Sequence, residues 1–121
     1  MTIELTTAFV AKLAFDFPEL LPILGKQLET DDCREIYPHA LMCDYTRYIS
    51  SQDKIYPWVK NFITELENNF RSVEDDSISN LIAVSFIEPF VVDAPSIGFA
   101  NELLSPKLKE YYERVSGGYL T

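Results

Sequence analysis

His39 is the only histidine of the chain, and the residues around it are of the types that zinc sites and nucleophilic sites use. Cys33 lies six residues before it, Cys43 four residues after it and Asp44 five residues after it. Structural zinc usually takes paired ligands such as Cys-x2-Cys with a second pair downstream, because ligands one turn apart pre-organise half of the tetrahedron. Such pairs are missing here. The spacing therefore predicts no metal site, and the more ordinary interpretation is a capping histidine beside a packed thiol.

Cys43 with His39 is also the candidate pair for a nucleophile and its base, four residues apart on a predicted helix. Met42 and Tyr45 flank Cys43, and a thiol buried among such neighbours is inert. Phosphate-binding loops are missing as well, since the four glycines form no Gly-rich run. We predict no catalytic residues and no cofactor, and we keep a Cys43–His39 enzyme as a remote alternative.

Charge is the strongest compositional signal. The chain carries 10 Lys and Arg against 19 Asp and Glu, a net charge of −9. Such a field repels nucleic-acid backbones and anionic membranes, so neither is predicted as a partner. It accelerates encounter with a basic protein, although many acidic proteins carry this charge only for solubility.

Two acidic connections and two single acids are the candidate partner-binding residues. They are Glu29, Asp31, Asp32 and Glu35 in one connection, Glu74, Asp75 and Asp76 in the other, and Asp44 and Asp53. Each connection follows one predicted helix and precedes the next, which places its acids in solvent. We hypothesise that they face a basic groove on a partner protein. The alternative is a solvated connection whose acids interact with a helix dipole.

Apolar residues recur every three to four positions in six stretches, which predicts six helices. The stretches centre on Leu5–Phe17, Leu20–Leu28, Leu41–Ile49, Trp58–Phe70, Ile78–Ile87 and Leu108–Val115. The fifth stretch is apolar nearly all round, so it should be central to the fold.

Proline, serine and glycine mark the predicted helix ends. Pro18 ends the first helix and starts the second, and Pro89 ends the fifth. The segment 90–95 then reads as an extended loop. Ser105 is a predicted N-cap before Pro106, and Gly117-Gly118 a predicted stop.

These features predict an all-α protein in which residues 1–121 form a single compact domain of about six helices, orthogonal or layered. Tandem helical pairs are a minor alternative without support from a repeated motif. The apolar run 81–87 is too short to span a membrane and no export signal is visible, so a cytoplasmic location is expected.

Four phrases carry a resemblance to a known family. They are Phe17-Pro18-Glu19-Leu20, Pro38-His39-Ala40-Leu41-Met42-Cys43-Asp44, Leu81-Ile82-Ala83-Val84-Ser85-Phe86-Ile87-Glu88 and Leu104-Ser105-Pro106-Lys107-Leu108. Together they resemble a family of small, uncharacterised bacterial helical proteins over most of the chain, with Ser105 where the family usually has glycine. Small acidic bacterial proteins of this kind are also similar to the immunity partners of bacterial toxins.

The resemblance implies a helical fold and leaves the role unassigned. With the charge and the missing catalytic motifs, it makes an immunity protein that neutralises a basic toxin domain through an acidic face the leading expectation. An adaptor or regulatory interaction domain is the alternative.

Overall fold

The computed structural model describes residues 2–30, 35–52, 54–71, 76–93 and 97–120. Within these ranges the chain forms eight α-helices, which are α1 (Thr2–Asp16), α2 (Leu21–Thr30), α3 (Pro38–Ser50), α4 (Pro57–Asn68), α5 (Ser77–Ile82), α6 (Glu88–Asp93), α7 (Ile97–Leu103) and α8 (Pro106–Leu120). A 3-10 turn (Pro18–Leu20) leads into α2, and a π segment (Ala83–Ile87) joins α5 to α6. The described residues contain no strand, so the prediction of an all-α fold is confirmed.

The continuous helical run 77–93 is the centre of the fold, as its all-round apolar pattern predicts. α1, α3 and α8 all pack against it. Phe86 and Phe90 are fully buried in it, and their rings stack with centroids 5.6 Å apart. Phe62 of α4 packs on Phe86 at 5.8 Å, which ties the strongest amphipathic helix of the sequence to this centre.

The prediction that Pro89 ends the fifth helix is wrong, because the helix passes it through the π segment. There the Glu88 N–H bonds the Ala83 carbonyl, five residues back. Pro89 has no N–H, so the Ser85 carbonyl loses its ordinary partner four residues on. The Thr46 hydroxyl of α3 lies 3.2 Å from that carbonyl and supplies a replacement donor.

Segment 90–93, predicted as an extended loop, is helical and belongs to α6. Phe90 is fully buried there, and its ring packs against Phe86 and Tyr112. Ala94 and Pro95 lie outside the described residues.

The C-terminal part of the chain differs from the sequence prediction in two ways. α7 is a short helix that the sequence pattern does not reveal, and it buries Ala100 and Leu103. α8 does not end at Gly117-Gly118 and continues to Leu120.

Ser105 does not cap α8 with its side chain, since its hydroxyl is buried without a hydrogen-bond partner. Glu67 of α4 instead accepts a hydrogen bond from the Lys107 N–H at 3.2 Å. A carboxylate from another helix thus satisfies one of the donors at the start of α8.

α1 buries a stripe that is rotated from the predicted one. Phe9, Val10 and Leu13 are buried as expected, but Leu5 is 57% exposed and Thr6 is buried in its place. Thr6 is four residues before Val10, so it lies on the same helix face as the core residues.

Candidate functional site

A groove between α2 and α3 is a concave feature of the described surface that combines apolar, aromatic and charged residues. Its volume is about 530 Å³. The lining residues are Pro22, Ile23, Lys26 and Gln27 from α2, and Asp44, Arg47, Tyr48 and Ser51 from α3. Their spacing of three to four positions puts each set on one helix face. The groove size falls in the range of roughly 300–1,000 Å³ typical of small-ligand sites.

One wall of the groove is an aromatic surface anchored to the core. Tyr48 is 37% exposed, and its ring stacks on Trp58 of α4 with centroids 6.2 Å apart and an interplanar angle of 25°. Trp58 in turn meets Phe17 at 6.5 Å and Phe62 at 6.5 Å. This packing fixes the Tyr48 ring, so it presents a rigid apolar face to the groove.

Both helices contribute cations to the groove. Arg47 donates from an Nη to Asp44 Oδ1 at 2.8 Å, one turn away on α3, and Lys26 lies on the α2 side. A guanidinium has five N–H donors, and the Asp44 bond uses one of them. Among the described lining residues, Lys26 and Arg47 are basic and Asp44 is acidic, in a molecule whose net charge is −9.

The end of the α2–α3 pair where the chain passes between the helices has a different character. Gln27 holds the backbone of Tyr37 there, since its Oε1 accepts from the Tyr37 N–H at 3.0 Å and its Nε2 donates to the Tyr37 carbonyl at 3.5 Å. The Tyr37 side chain is 44% exposed. Glu29 at the end of α2 and Glu35 before α3 are both exposed. We call Glu29, Glu35 and Tyr37 the acidic end.

The remaining candidate acids fall into different settings. Asp44 is half-buried and ion-paired with Arg47 rather than exposed on an acidic face. Asp76 is the N-cap of α5, where it accepts from the Ile78 N–H at 3.2 Å and from the Ser79 hydroxyl at 2.9 Å. Its carboxylate therefore has the role at a helix start that the sequence alternative gave it. The others lie outside the described residues: Asp31, Asp32, Asp53, Glu74 and Asp75.

His39 makes a contact that the sequence did not predict. Its Nδ1 hydrogen bonds with the Ser85 hydroxyl at 2.5 Å, which links α3 to the π segment. His39 is not the N-cap of α3; that position belongs to Tyr37, whose side chain makes no capping bond. Ser85 is only 2% exposed, so a substrate has no access to its hydroxyl in this conformation. The pair therefore acts here as a cross-link between helices.

The fold does not bring the candidate metal ligands of the described residues together. Among the described residues, no three side chains of His, Cys, Asp or Glu gather closely enough to hold an ion. Cys33 lies outside the described residues, and Cys43 is half-buried on α3.

The hydrogen bond to Asp16 raises the pKa of Lys12 on the exposed side of α1, and the other shifted pKa values of the described residues belong to buried or half-buried tyrosines. Burial raises the pKa of Tyr45 and of Tyr112 above the usual range. Burial also raises the pKa of Tyr111, and the Glu88 carboxylate that accepts its hydroxyl at 3.2 Å adds to this. A raised tyrosine pKa favours the neutral phenol, so these groups act as structural hydrogen-bond donors.

In the part of the chain that the structure describes, no helix combines the length and the apolar character needed to cross a bilayer.

No protein-family model, no curated protein and no solved structure matches this chain. The resemblance to small bacterial helical proteins and their immunity-type relatives therefore stays a prediction.

Proposed function

We propose that this protein is an immunity protein that binds a basic toxin domain in the cytoplasm and neutralises it. The observation that carries the proposal is the acidic end of the α2–α3 pair. Glu29 near the end of α2 and Glu35, two residues before Tyr37, are exposed, and Gln27 holds the backbone of Tyr37, whose side chain is also exposed.

The chemistry of this surface suits a basic partner. Carboxylates at an interface rim steer a cationic protein into encounter, and a net charge of −9 strengthens that attraction. Tyrosine is among the residues that contribute most to interface affinity, particularly when little entropy is lost on binding. The four bonded atoms of the Gln27–Tyr37 contact limit the motion of the Tyr37 backbone before any partner arrives.

The experiment uses a toxin domain encoded beside this protein and measures association and dissociation rates by biolayer interferometry. The double variant Glu29→Lys/Glu35→Lys should lower the association rate by about tenfold or more, because it reverses the charge at the contact. Tyr37→Ala should mainly raise the dissociation rate.

Glu110→Lys/Glu113→Lys is the matched control, since it makes the same charge change on the exposed face of α8. It should lower the association rate by less than about threefold. An equal loss in both double variants would show that only the overall charge matters and would remove the acidic end as the site. Binding to a basic protein without toxic activity would favour the adaptor alternative.

A further inference from the structure

The polar residues described in the lining of the α2–α3 groove all have partners within the protein. Arg47 and Asp44 form an ion pair at 2.8 Å, and Lys26 is partnered as well. The Gln27 amide bonds backbone groups of the acidic end, and the Ser51 hydroxyl donates to a carbonyl of α3 at 2.7 Å. A charged ligand would therefore meet no unpaired opposite charge among these residues, and it would lose hydration on entering the groove.

The apolar part of the lining is left to supply the affinity. Pro22 and Ile23 belong to the α2 side of the groove, and the Tyr48 ring belongs to the α3 side. Burial of apolar surface between the two helices stabilises a bound ligand in proportion to the area removed from water. The paired charges and this apolar lining together select an uncharged ligand.

The Tyr48 ring favours a planar aromatic ligand over a saturated one. It stacks on Trp58 with 6.2 Å between the ring centroids, and Trp58 packs against Phe17 and Phe62. Aromatic rings attract one another in offset-stacked and edge-on arrangements, in addition to the area that they bury. Because the Tyr48 ring is already held in place, little conformational freedom is lost when a ligand packs on it.

We propose that the α2–α3 groove binds a small, uncharged, planar aromatic molecule, which packs on the Tyr48 ring and against Pro22 and Ile23. The groove volume of about 530 Å³ lies within the range of roughly 300–1,000 Å³ for small-ligand sites. This site is separate from the acidic end and does not depend on the immunity function.

Four ligands with the same two-ring carbon skeleton test the proposal: naphthalene-2-methanol, its saturated analogue decahydronaphthalene-2-methanol, 2-naphthoate and 2-naphthylmethylamine. Each is titrated into the 15N-labelled protein at about 0.15 M salt, which screens the overall charge of −9. Naphthalene-2-methanol should shift the amide signals of Ile23 and Tyr48 and bind at least about threefold more tightly than either charged ligand. It should exceed the saturated analogue by about the same factor, because only the aromatic ligand stacks on Tyr48.

Variants at position 48 test the role of the ring. Tyr48→Leu should weaken binding of naphthalene-2-methanol by about threefold or more and change binding of the saturated analogue by less than about twofold. Tyr48→Phe keeps the ring and should bind as the wild type does. Tyr37→Leu is the control, since it removes an exposed tyrosine outside the described groove lining, and it should change neither affinity by more than about twofold. Thermal melts of the three variants check that the fold is kept.

The wild-type protein gives a second measurement that needs no variant. Nuclear Overhauser contacts should join the naphthalene protons to the methyl groups of Ile23. Equal or tighter binding of either charged ligand or of the saturated analogue would overturn the proposal, and so would signal changes confined to other surfaces. A capped, uncharged tripeptide with a central tryptophan is the last ligand. Tighter binding of this peptide than of naphthalene-2-methanol would assign the groove to an aromatic side chain of a partner protein and would overturn the small-molecule site.

Discussion

Tyr45 is the largest fully buried side chain with a hydroxyl among the described residues. Its environment should make the protein less stable at alkaline pH. The hydroxyl donates to the Val10 carbonyl at 2.9 Å, which fastens α3 to α1. Burial raises the pKa of Tyr45, so the fold favours the neutral phenol. The stabilisation is complete below the pKa of an unfolded tyrosine, about 10, and is lost as the pH rises beyond it.

Tyr45→Phe should therefore flatten the fall of the melting temperature between about pH 9 and about pH 11. At neutral pH the variant should lose about 1 kcal/mol of unfolding free energy, because the buried Val10 carbonyl loses a donor. Tyr48→Phe, at a position that is 37% exposed, is the control and should follow the wild-type pH curve. Parallel curves for Tyr45→Phe and wild type would contradict the assignment.

Ser50 shows the opposite situation, a buried hydroxyl without a partner. Such a group keeps its desolvation cost without compensation. Ser50→Ala should raise the unfolding free energy by about 1 kcal/mol, with some help from the higher helix propensity of alanine. Urea unfolding at constant m-value measures this. Ser51→Ala, which removes an exposed hydroxyl that donates to the Tyr48 carbonyl, should stay within about 0.5 kcal/mol of wild type.

For single residues, the sequence predicted which side chains matter better than it predicted the contacts that they make. It identified the acids, but not that Asp44 is paired with Arg47 or that Gln27 holds Tyr37. The Arg47 pair is visible in the sequence as a spacing of three on a helix, while the Gln27 contact spans ten residues and depends on how α2 and α3 pack. The groove between α2 and α3 was missed because it depends on how the two helices pack, which neither composition nor periodicity reveals.

At the scale of elements, the join between α3 and the π segment compensates for Pro89. The Thr46 hydroxyl lies 3.0 Å from the Met42 carbonyl and 3.2 Å from the Ser85 carbonyl, so its one proton is shared between them. His39 adds the contact to the Ser85 hydroxyl. Such bonds from a neighbouring helix are what allow proline to remain inside a helical run.

Thr46→Val should therefore lower the unfolding free energy by about 1–2 kcal/mol, because it keeps the side-chain shape and removes the buried donor. Amide exchange within 83–93 should accelerate at the same time, since the π segment loses the Thr46 hydrogen bond and keeps only the His39 contact to Ser85 as a side-chain bond from α3 among the described residues. Thr64→Val is the matched control: the Thr64 hydroxyl makes a similar bond to the Lys60 carbonyl on an exposed face, and its loss should cost less than about 0.5 kcal/mol. A uniform loss in both variants would argue against the π-segment role.

How well each helix could be predicted depends on how much of its structure is set by local sequence. Helices with a clear apolar stripe, α3 and α4 above all, begin at Pro38 and Pro57 and run close to the predicted ranges. The error at Pro89 arose because a local rule for proline ignores donors from distant residues such as Thr46. α7 was missed because seven residues are too few to establish a helical period.

At the scale of the whole molecule, the proposed binding to a basic toxin domain predicts that the rate of encounter depends on salt. With a net charge of −9, the association rate with a basic toxin domain should fall several-fold between about 0.05 M and about 0.5 M salt. The dissociation rate should change much less, because short-range contacts such as those we propose for Tyr37 are screened weakly. A stopped-flow series over salt concentration measures both, and an association rate that does not change with salt would contradict an electrostatic role.

The bond from Glu67 to the Lys107 amide makes the last helix dependent on a distant part of the chain. The Ser105 side chain does not cap α8. An isolated peptide of residues 104–121 also lacks Glu67, so the N–H groups of its first turn have neither of these side-chain acceptors. Helix formation there is thus coupled to the docking of α4, so a protease that samples partly open molecules should cut near Lys107 and Lys109 first. Loss of the Glu67 carboxylate would then register as faster nicking at the C-terminal end long before it lowered the melting temperature noticeably.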